Sequence, residues 1–162
     1  MNNISARDKG LITAAVLIAL KSFFFYGLHL PVFGTDDYII YSVAIAGIIW
    51  SLLSFRQIDS GDKKFKDYFS TGFKTFVIIA LLMTVFTFVF LKFNTAYRDE
   101  GIRYNSELLM KEGNHTPAEI EDQAAHLRTI FMPVMLSITA AKYLLLGALV
   151  SAVGAGFLSS KR

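Results

Sequence analysis

Four long apolar stretches, separated by three polar segments, fill most of the 162-residue chain. The apolar stretches extend over about residues 10–30, 38–55, 75–92 and 131–158. Because an α-helix rises about 1.5 Å per residue, roughly 20 residues match the roughly 30 Å hydrocarbon core of a bilayer. The pattern therefore predicts an all-α fold, an integral membrane four-helix bundle formed by a single domain.

The flanks of the apolar stretches support this interpretation. Residues 75–91 carry no charge and lie between Lys74 and Lys92, whose ammonium groups can extend to the lipid headgroups. The first stretch predicts a membrane span and not a cleaved signal peptide. Large aromatic residues follow Lys21, where a signal peptide would need a cleavage site with small residues. A short turn over residues 31–37 predicts that the first two spans form a hairpin.

The polar segment of residues 95–130 predicts a helical hairpin between the third and fourth spans. Thr116 and Glu119 have the spacing of a capping box, and Pro117 suits the first helical position. Gly113 suits the end of the preceding helix, because glycine tolerates the left-handed conformation found there. The second arm is then expected to run directly into the fourth span, through Pro133.

The loop of residues 56–74 is rich in lysine and also carries a periodic row of aromatic residues. Phe65, Phe69 and Phe73 recur at every fourth position, as on one face of a helix. Two interpretations stay open, an amphipathic helix in the lipid headgroups and a plain basic loop.

Composition and charge define the class and the orientation. Hydrophobic residues make up 54% of the chain and charged residues 18%, which indicates a surface that meets lipid. The bases cluster before the first span, between spans two and three, and at the end of the chain, whereas residues 94–130 carry four bases against seven acids. Since short cytoplasmic segments are enriched in lysine and arginine, both termini are predicted in the cytoplasm and the hairpin outside.

Two lysines within the apolar stretches are the chemically unusual residues. Lys21 and Lys142 lie ten or eleven residues from the hairpin-side ends of their spans, so their depths are similar. One hypothesis is that the pair holds an anion such as a lipid headgroup or carboxylate, with Tyr26, Ser137 or Tyr143 nearby. The alternative is that both side chains extend along their helices to the headgroups.

The fourth span carries a row of small residues that predicts close helix packing. The row comprises Gly147, Ser151 and Ala155, and a second row of Ala148, Ala152 and Gly156 lies beside it. Small residues let two helices in lipid approach and gain dispersion contacts. Packing within the bundle is the favoured interpretation, and packing between subunits is the alternative.

Reactive chemistry is sparse. The chain has no cysteine, no catalytic triad and no phosphate-binding loop, so no catalytic residue, cofactor or enzyme activity is predicted. Glu119, Asp122 and His126 share a helix face near His115, but acids on an exposed helix are ordinary, and no metal site is predicted. Membrane orientation accounts for most of the net charge of +3, so nucleic acid is not an expected partner.

Several short motifs, in order, resemble the domain of unknown function 4199 family, small bacterial membrane proteins with four predicted spans. The matching residues are Phe65, Gly72, Phe73, Lys74, Tyr97, the stretch GNHTPAEIE at residues 113–121, Pro133, Gly147, Ser151 and Ala152. The resemblance implies a multi-pass protein of the bacterial inner membrane. It implies no activity, and Lys21 and Lys142 lie outside the matching pattern.

Two functions are consistent with these observations. The first is a structural or protein-interaction component of the membrane, with a protein partner or a second copy of the chain. The second is a small transporter or a module that binds an anionic lipid or ligand through Lys21 and Lys142. Membrane lipid is the expected surrounding partner in both cases.

Overall fold

A computed structural model describes residues 4–29, 36–58 and 63–160, and this part of the chain forms five helices and no strand. The helices are α1 (Ala6–Tyr26), α2 (Asp36–Arg56), α3 (Phe65–Phe93), α4 (Thr95–Glu112) and α5 (Pro117–Ser160). All of them except α4 are long and apolar enough to cross a membrane. The all-α prediction is confirmed, and the chain is a multi-pass membrane protein. Residues 31–35 of the turn predicted over residues 31–37, and the final bases at residues 161–162, lie outside the described residues, whereas residues 36 and 37 belong to α2.

The predicted capping box starts α5. The backbone N–H of Glu119 donates to Thr116 Oγ1 at 3.3 Å, and the backbone N–H of Thr116 donates to Glu119 Oε2 at 2.7 Å. These hydrogen bonds to Thr116 hold the pKa of Glu119 below its usual value. Helix α4 ends at Gly113, whose φ of 69° is left-handed, as the sequence predicted.

Helix α3 includes the aromatic row of the lysine-rich segment. The Phe65 and Phe69 rings stack with centroids 5.9 Å apart, and the Phe69 and Phe73 centroids are 6.4 Å apart. With 29 residues, α3 is about 44 Å long, more than a bilayer core requires. Residues 65–74 of the segment are therefore a helical extension of the third span.

Helix α5 joins the second arm of the hairpin to the fourth span without interruption. It has 44 residues, which corresponds to about 66 Å, and it passes through Pro133. Leu91 of α3, Ile102 of α4 and Phe131 of α5 form a buried cluster at the base of the hairpin. The hairpin is thus packed onto the end of the bundle.

Helices α2 and α3 contact each other at the centre of the bundle, and both contact α1 and α5. Within the described ranges, α1 and α5 do not contact each other, so they lie on opposite sides of the α2–α3 pair. The Thr75 hydroxyl donates to the carbonyl of Ala6 at 3.2 Å, and Gly72 lies against Ser151. The first turn of α1 and the last turns of α5 therefore lie at one end, the terminal end, and α4 lies at the other, the hairpin end.

The half of the bundle at the terminal end is tightly packed. Leu17, Ile48, Leu52 and Ile79 are fully buried there. The hydroxyls of Ser51 and Thr75 share a hydrogen bond of 2.7 Å between α2 and α3. This half of the bundle is closed by side chains from three helices.

Lys9 is also buried at the terminal end, although its sequence position suggested an exposed flank. Lys9 belongs to the first turn of α1, and its exposed fraction is 6%. The ammonium lies 5.7 Å from the centre of the Trp50 ring on α2, within the range of a cation–π contact. The aromatic ring thus accommodates a charge that the sequence placed in the basic flank before the first span.

The row of small residues on α5 packs against α3. Gly147, Ser151 and Ala155 are buried, and Ala148 and Ala152 are half-buried. A Cβ added at Gly147 would overlap Phe76 of α3, and one added at Gly72 would overlap Ser151. These contacts place the row inside the chain's own bundle. The small size of its residues sets the distance between α3 and α5.

We predict that Ser151→Ala raises the thermal stability of the protein. The Ser151 hydroxyl is buried and has no hydrogen-bond partner among the residues that the structure describes. Since a buried hydroxyl without a partner is costly, its removal should increase the free energy of unfolding by about 1 kcal/mol. Thermal unfolding of the purified protein measures the change, and Ser42→Ala is the control because its exposed hydroxyl donates to the Tyr38 carbonyl. A lower unfolding temperature for Ser151→Ala would contradict the prediction.

Candidate functional site

A cavity of about 130 Å³ lies in the half of the bundle near the hairpin end. All five helices contribute to its wall, which is mainly aromatic and aliphatic. The lining residues are Lys21, Phe24, Phe25, Asp37, Ile40, Tyr41, Met83, Phe86, Thr87, Phe90, Leu91, Tyr97, Met135, Ile138, Thr139, Lys142 and Tyr143. A cavity of this size exceeds what one water molecule requires.

The two unusual lysines of the sequence line this one cavity from opposite sides. Lys21 is supplied by α1 and Lys142 by α5, the two helices that do not contact each other. Lys142 Nζ lies 6.0 Å from the centre of the Tyr41 ring, at the limit of a cation–π contact. The two lysines, which the sequence placed at similar depth, thus line one cavity in the structure.

Asp37 provides a carboxylate that the sequence interpretation placed in a turn outside the spans. Helix α2 begins at Asp36, so Asp37 lies in its first turn, where the helix dipole favours a negative charge. Its Oδ1 atom lies 2.9 Å from Lys21 Nζ, with side-chain exposed fractions of 43% and 26%. A helix long and apolar enough to cross a membrane thus begins with an acid that reaches the cavity.

Aromatic contacts order the wall around Lys142. The Tyr41 and Tyr143 rings form an edge-to-face pair with centroids 5.9 Å apart, joining α2 to α5. Tyr143 is buried, with an exposed fraction of 7%. The pair brings phenol groups into the lining beside the ammonium, where a hydroxyl can donate to an anion.

A second aromatic cluster closes the cavity at the hairpin end. Phe25 and Phe90 meet edge to face with centroids 4.8 Å apart, and Tyr97 lies 5.2 Å from Phe90 and 6.0 Å from Phe25. Because Tyr97 belongs to α4, the hairpin contributes directly to the wall. The start of the hairpin therefore covers this end of the cavity.

Two of the suggested site residues lie elsewhere. The Tyr26 hydroxyl donates to Asn94 Oδ1 at 3.1 Å, a contact between the end of α1 and the junction of α3 and α4. The Ser137 hydroxyl donates to the carbonyl of Pro133 at 2.8 Å and is exposed. Neither residue lines the cavity, whereas Tyr143 does.

Sequence reasoning missed Asp37 and Tyr41 as site residues. The four-residue interval between them, which places both on one face of α2, was the only available signal. In the described part of the chain, no three His, Asp or Glu side chains converge as metal ligands. The chemistry available in the cavity is therefore that of two ammonium groups, one carboxylate and several phenols.

Comparison with known proteins gives a family but no activity. A family model described as "Protein of unknown function (DUF4199)" matches residues 9–160. No curated protein and no solved structure matches the chain. The resemblance that the sequence motifs indicated is confirmed.

Proposed function

The chain belongs to the DUF4199 family of proteins of unknown function, so its activity must be inferred from its own geometry, and we propose that it binds an anionic, lipid-like ligand in the membrane. The observation that carries this proposal is the cavity that Lys21 and Lys142 share. This conclusion favours the second of the two functions predicted from the sequence, in the form of a binding module.

The charge of the lining supports an anionic ligand. Two lysines and one aspartate give the described lining a net charge of +1 at neutral pH. A lysine within the membrane costs roughly 2.5 to 3.5 kcal/mol on insertion scales, and a bound anion would offset part of that cost. Electrostatic attraction is also stronger there than in water, because the surrounding medium has a low dielectric constant.

The surroundings of Lys142 argue against simple extension of the side chain to the headgroups. Its ammonium lies beside the Tyr41 ring, and Tyr41 packs on the buried Tyr143. Lys21 is held by the Asp37 carboxylate. Lys21 is thus held at the cavity wall by an ion pair, whereas Lys142 is an exposed residue whose ammonium lies beside an aromatic ring of that wall.

The apolar part of the wall supports a lipid-like ligand, and the packed terminal half supports binding over conduction. Phe24, Ile40, Met83, Met135 and Ile138 offer hydrocarbon surface next to the charged groups. The terminal half is closed by fully buried side chains, so the cavity does not continue through the bundle. An amphiphile whose charged group reaches the lysines matches this division of the wall.

The proposal includes an orientation and a location. Arg7 and Lys9 in the first turn of α1, together with the lysines between α2 and α3, favour the terminal end in the cytoplasm of a bacterium, with the hairpin outside the inner membrane. The cavity would then face the outer leaflet. No enzyme activity is part of the proposal, and bilayer lipid is the proposed source of the ligand.

A structural or interaction role has less support in the described residues. The small-residue row that suggested contact with another subunit is used between α3 and α5. A protein partner or a second copy of the chain would therefore need a different surface.

We predict that Lys142→Met reduces the anionic lipid that copurifies with the protein by about tenfold or more. Methionine keeps the length and apolar character of the side chain but removes the charge that pairs with the ligand, a loss typically of about 1.5 to 3 kcal/mol. Native mass spectrometry of protein extracted in mild detergent measures the bound lipid.

Lys92→Met is the matched control, because Lys92 is exposed at the end of α3 and does not line the cavity. Lys21→Met combined with Asp37→Asn tests the other side of the cavity without leaving an unpaired charge. Lipid retention equal to that of the unmodified protein in Lys142→Met would refute the proposed function.

A further inference from the structure

We infer that Asp37 sets the charge of the ligand, so that the cavity takes an amphiphile with one negative charge and rejects one with two. This inference rests on the anion-binding function proposed above. It assigns to Asp37 a role in specificity that its position in the sequence, beside a turn, does not suggest.

The charged and titratable groups of the wall come from four helices. Helix α1 supplies Lys21, α2 supplies Asp37 and Tyr41, α4 supplies Tyr97, and α5 supplies Lys142 and Tyr143. Helix α3 adds no charged side chain to the described lining, only apolar residues and Thr87. With neutral phenols, the lining supplied by the described residues therefore holds two positive charges and one negative charge.

The position of Asp37 divides the two positive charges into unequal sites. Its carboxylate forms an ion pair of 2.9 Å with Lys21, whereas Lys142 faces an aromatic ring. No carboxylate among the described residues lies within ion-pair distance of Lys142. An incoming anion consequently finds its best electrostatic partner at Lys142, with the Lys21–Asp37 pair on the opposite side.

Charge balance then discriminates between ligands. A single negative charge neutralises the described lining, whereas a second one leaves an uncompensated charge in the cavity that the Asp37 carboxylate also lines. Uncompensated charge is expensive in a medium of low dielectric constant, where like charges that share one cavity also repel. A carboxylate or a phosphodiester on an apolar body satisfies this requirement, and a phosphate monoester, which carries nearly two charges above neutral pH, does not.

The test compares decanoate with decyl phosphate, two probes of equal chain length and different charge, at about pH 8.5, where the phosphate is a dianion. The full chain is placed in phosphatidylcholine nanodiscs, and binding is measured by calorimetry with empty nanodiscs as the blank. We expect the unmodified protein to prefer decanoate. Asp37→Asn should tighten decyl phosphate binding by about tenfold or more, because the net charge of the lining rises to +2.

Two further variants control for charge and for folding. Asp37→Glu keeps the charge and should keep the preference for decanoate. Lys21→Met combined with Asp37→Asn removes the ion pair but leaves the net charge at +1, so it should also keep that preference, even if Asp37→Asn alone does not fold. Loss of the preference in the double variant, or an unchanged ratio of affinities in folded Asp37→Asn, would overturn the inference.

The same measurement separates this inference from the proposed function. Absence of binding of both probes to the unmodified protein would overturn anion binding itself, and the role of Asp37 with it. Repetition in phosphatidylglycerol nanodiscs identifies the source of the single charge. Weaker decanoate binding there indicates competition by the lipid phosphodiester, whereas unchanged binding indicates a carboxylate ligand. Both results agree with a ligand that carries one negative charge.

Discussion

Gly147→Ala should lower the free energy of unfolding by about 1 to 3 kcal/mol, the usual cost of overpacking a dense interior. The added methyl group would overlap Phe76, whose side chain is itself buried between α3 and α5. The overlap involves the Cβ atom of Phe76 as well as its ring, so a change of rotamer cannot relieve it and the two helices must separate. The loss of stability is measured by thermal unfolding of the protein in detergent, followed with a dye that reports unfolding.

Gly156→Ala is the control for Gly147→Ala. Gly156 lies in the same helix, but a Cβ added there meets open space. Alanine is the better helix former by about 0.5 to 1 kcal/mol, so this variant should be neutral or slightly more stable. Equal stability of the two variants would show that the contact between α3 and α5 is not close, and the packing described here would be wrong.

Leu17→Ala is expected to destabilise the protein by about 2 to 5 kcal/mol, the largest effect among these substitutions. Leu17 is completely buried in the main core cluster of the bundle. In a membrane, lipid replaces water around the separated helices, so most of the loss comes from missing packing contacts and from the cavity that remains. The effect should therefore fall toward the lower end of the range measured for water-soluble proteins.

The corresponding surface variant is Leu11→Ala on the same helix, where the leucine side chain is 47% exposed. The methyl groups of Leu11 face the surroundings of the bundle, so truncation of this side chain should change the unfolding temperature little. Titration with a denaturing detergent, followed by helix content, compares the two variants. If Leu11→Ala were as damaging as Leu17→Ala, the face of α1 that packs against α2 and α3 would be assigned incorrectly.

The spans were predictable because they depend on local composition. A bilayer requires each crossing segment to satisfy its own backbone hydrogen bonds, so a long apolar run specifies a helix without reference to its neighbours. The cap at Thr116 and the helix end at Gly113 were predictable for the same reason, since both depend on contacts within a few residues. Whether the aromatic row that begins at Phe65 belongs to an interfacial helix or to a basic loop was left open, because three residues at a helical interval are too few to decide.

The site was less accessible to sequence reasoning. Lys21 and Lys142 stood out because a charge within an apolar run is costly wherever it points. Tyr26 and Ser137 were suggested by proximity along the helix, yet the structure directs their hydroxyls to Asn94 and to a backbone carbonyl. Proximity in sequence does not fix which face of a helix meets a cavity, because that depends on the rotation of the helix against its neighbours.

The sequence by itself determined the number of spans, the helical hairpin, the small-residue row and the presence of two lysines at similar depth. Each of these follows from local energetics, the cost of exposing a polar backbone or a charge to lipid. Only the tertiary structure decided that the two lysines share a cavity, that Asp37 pairs with one of them, and that Lys9 lies against Trp50. Those pairings join residues on different helices, so they depend on how the helices pack. Dispersion contacts, and close approach at residues such as Gly147, decide that packing.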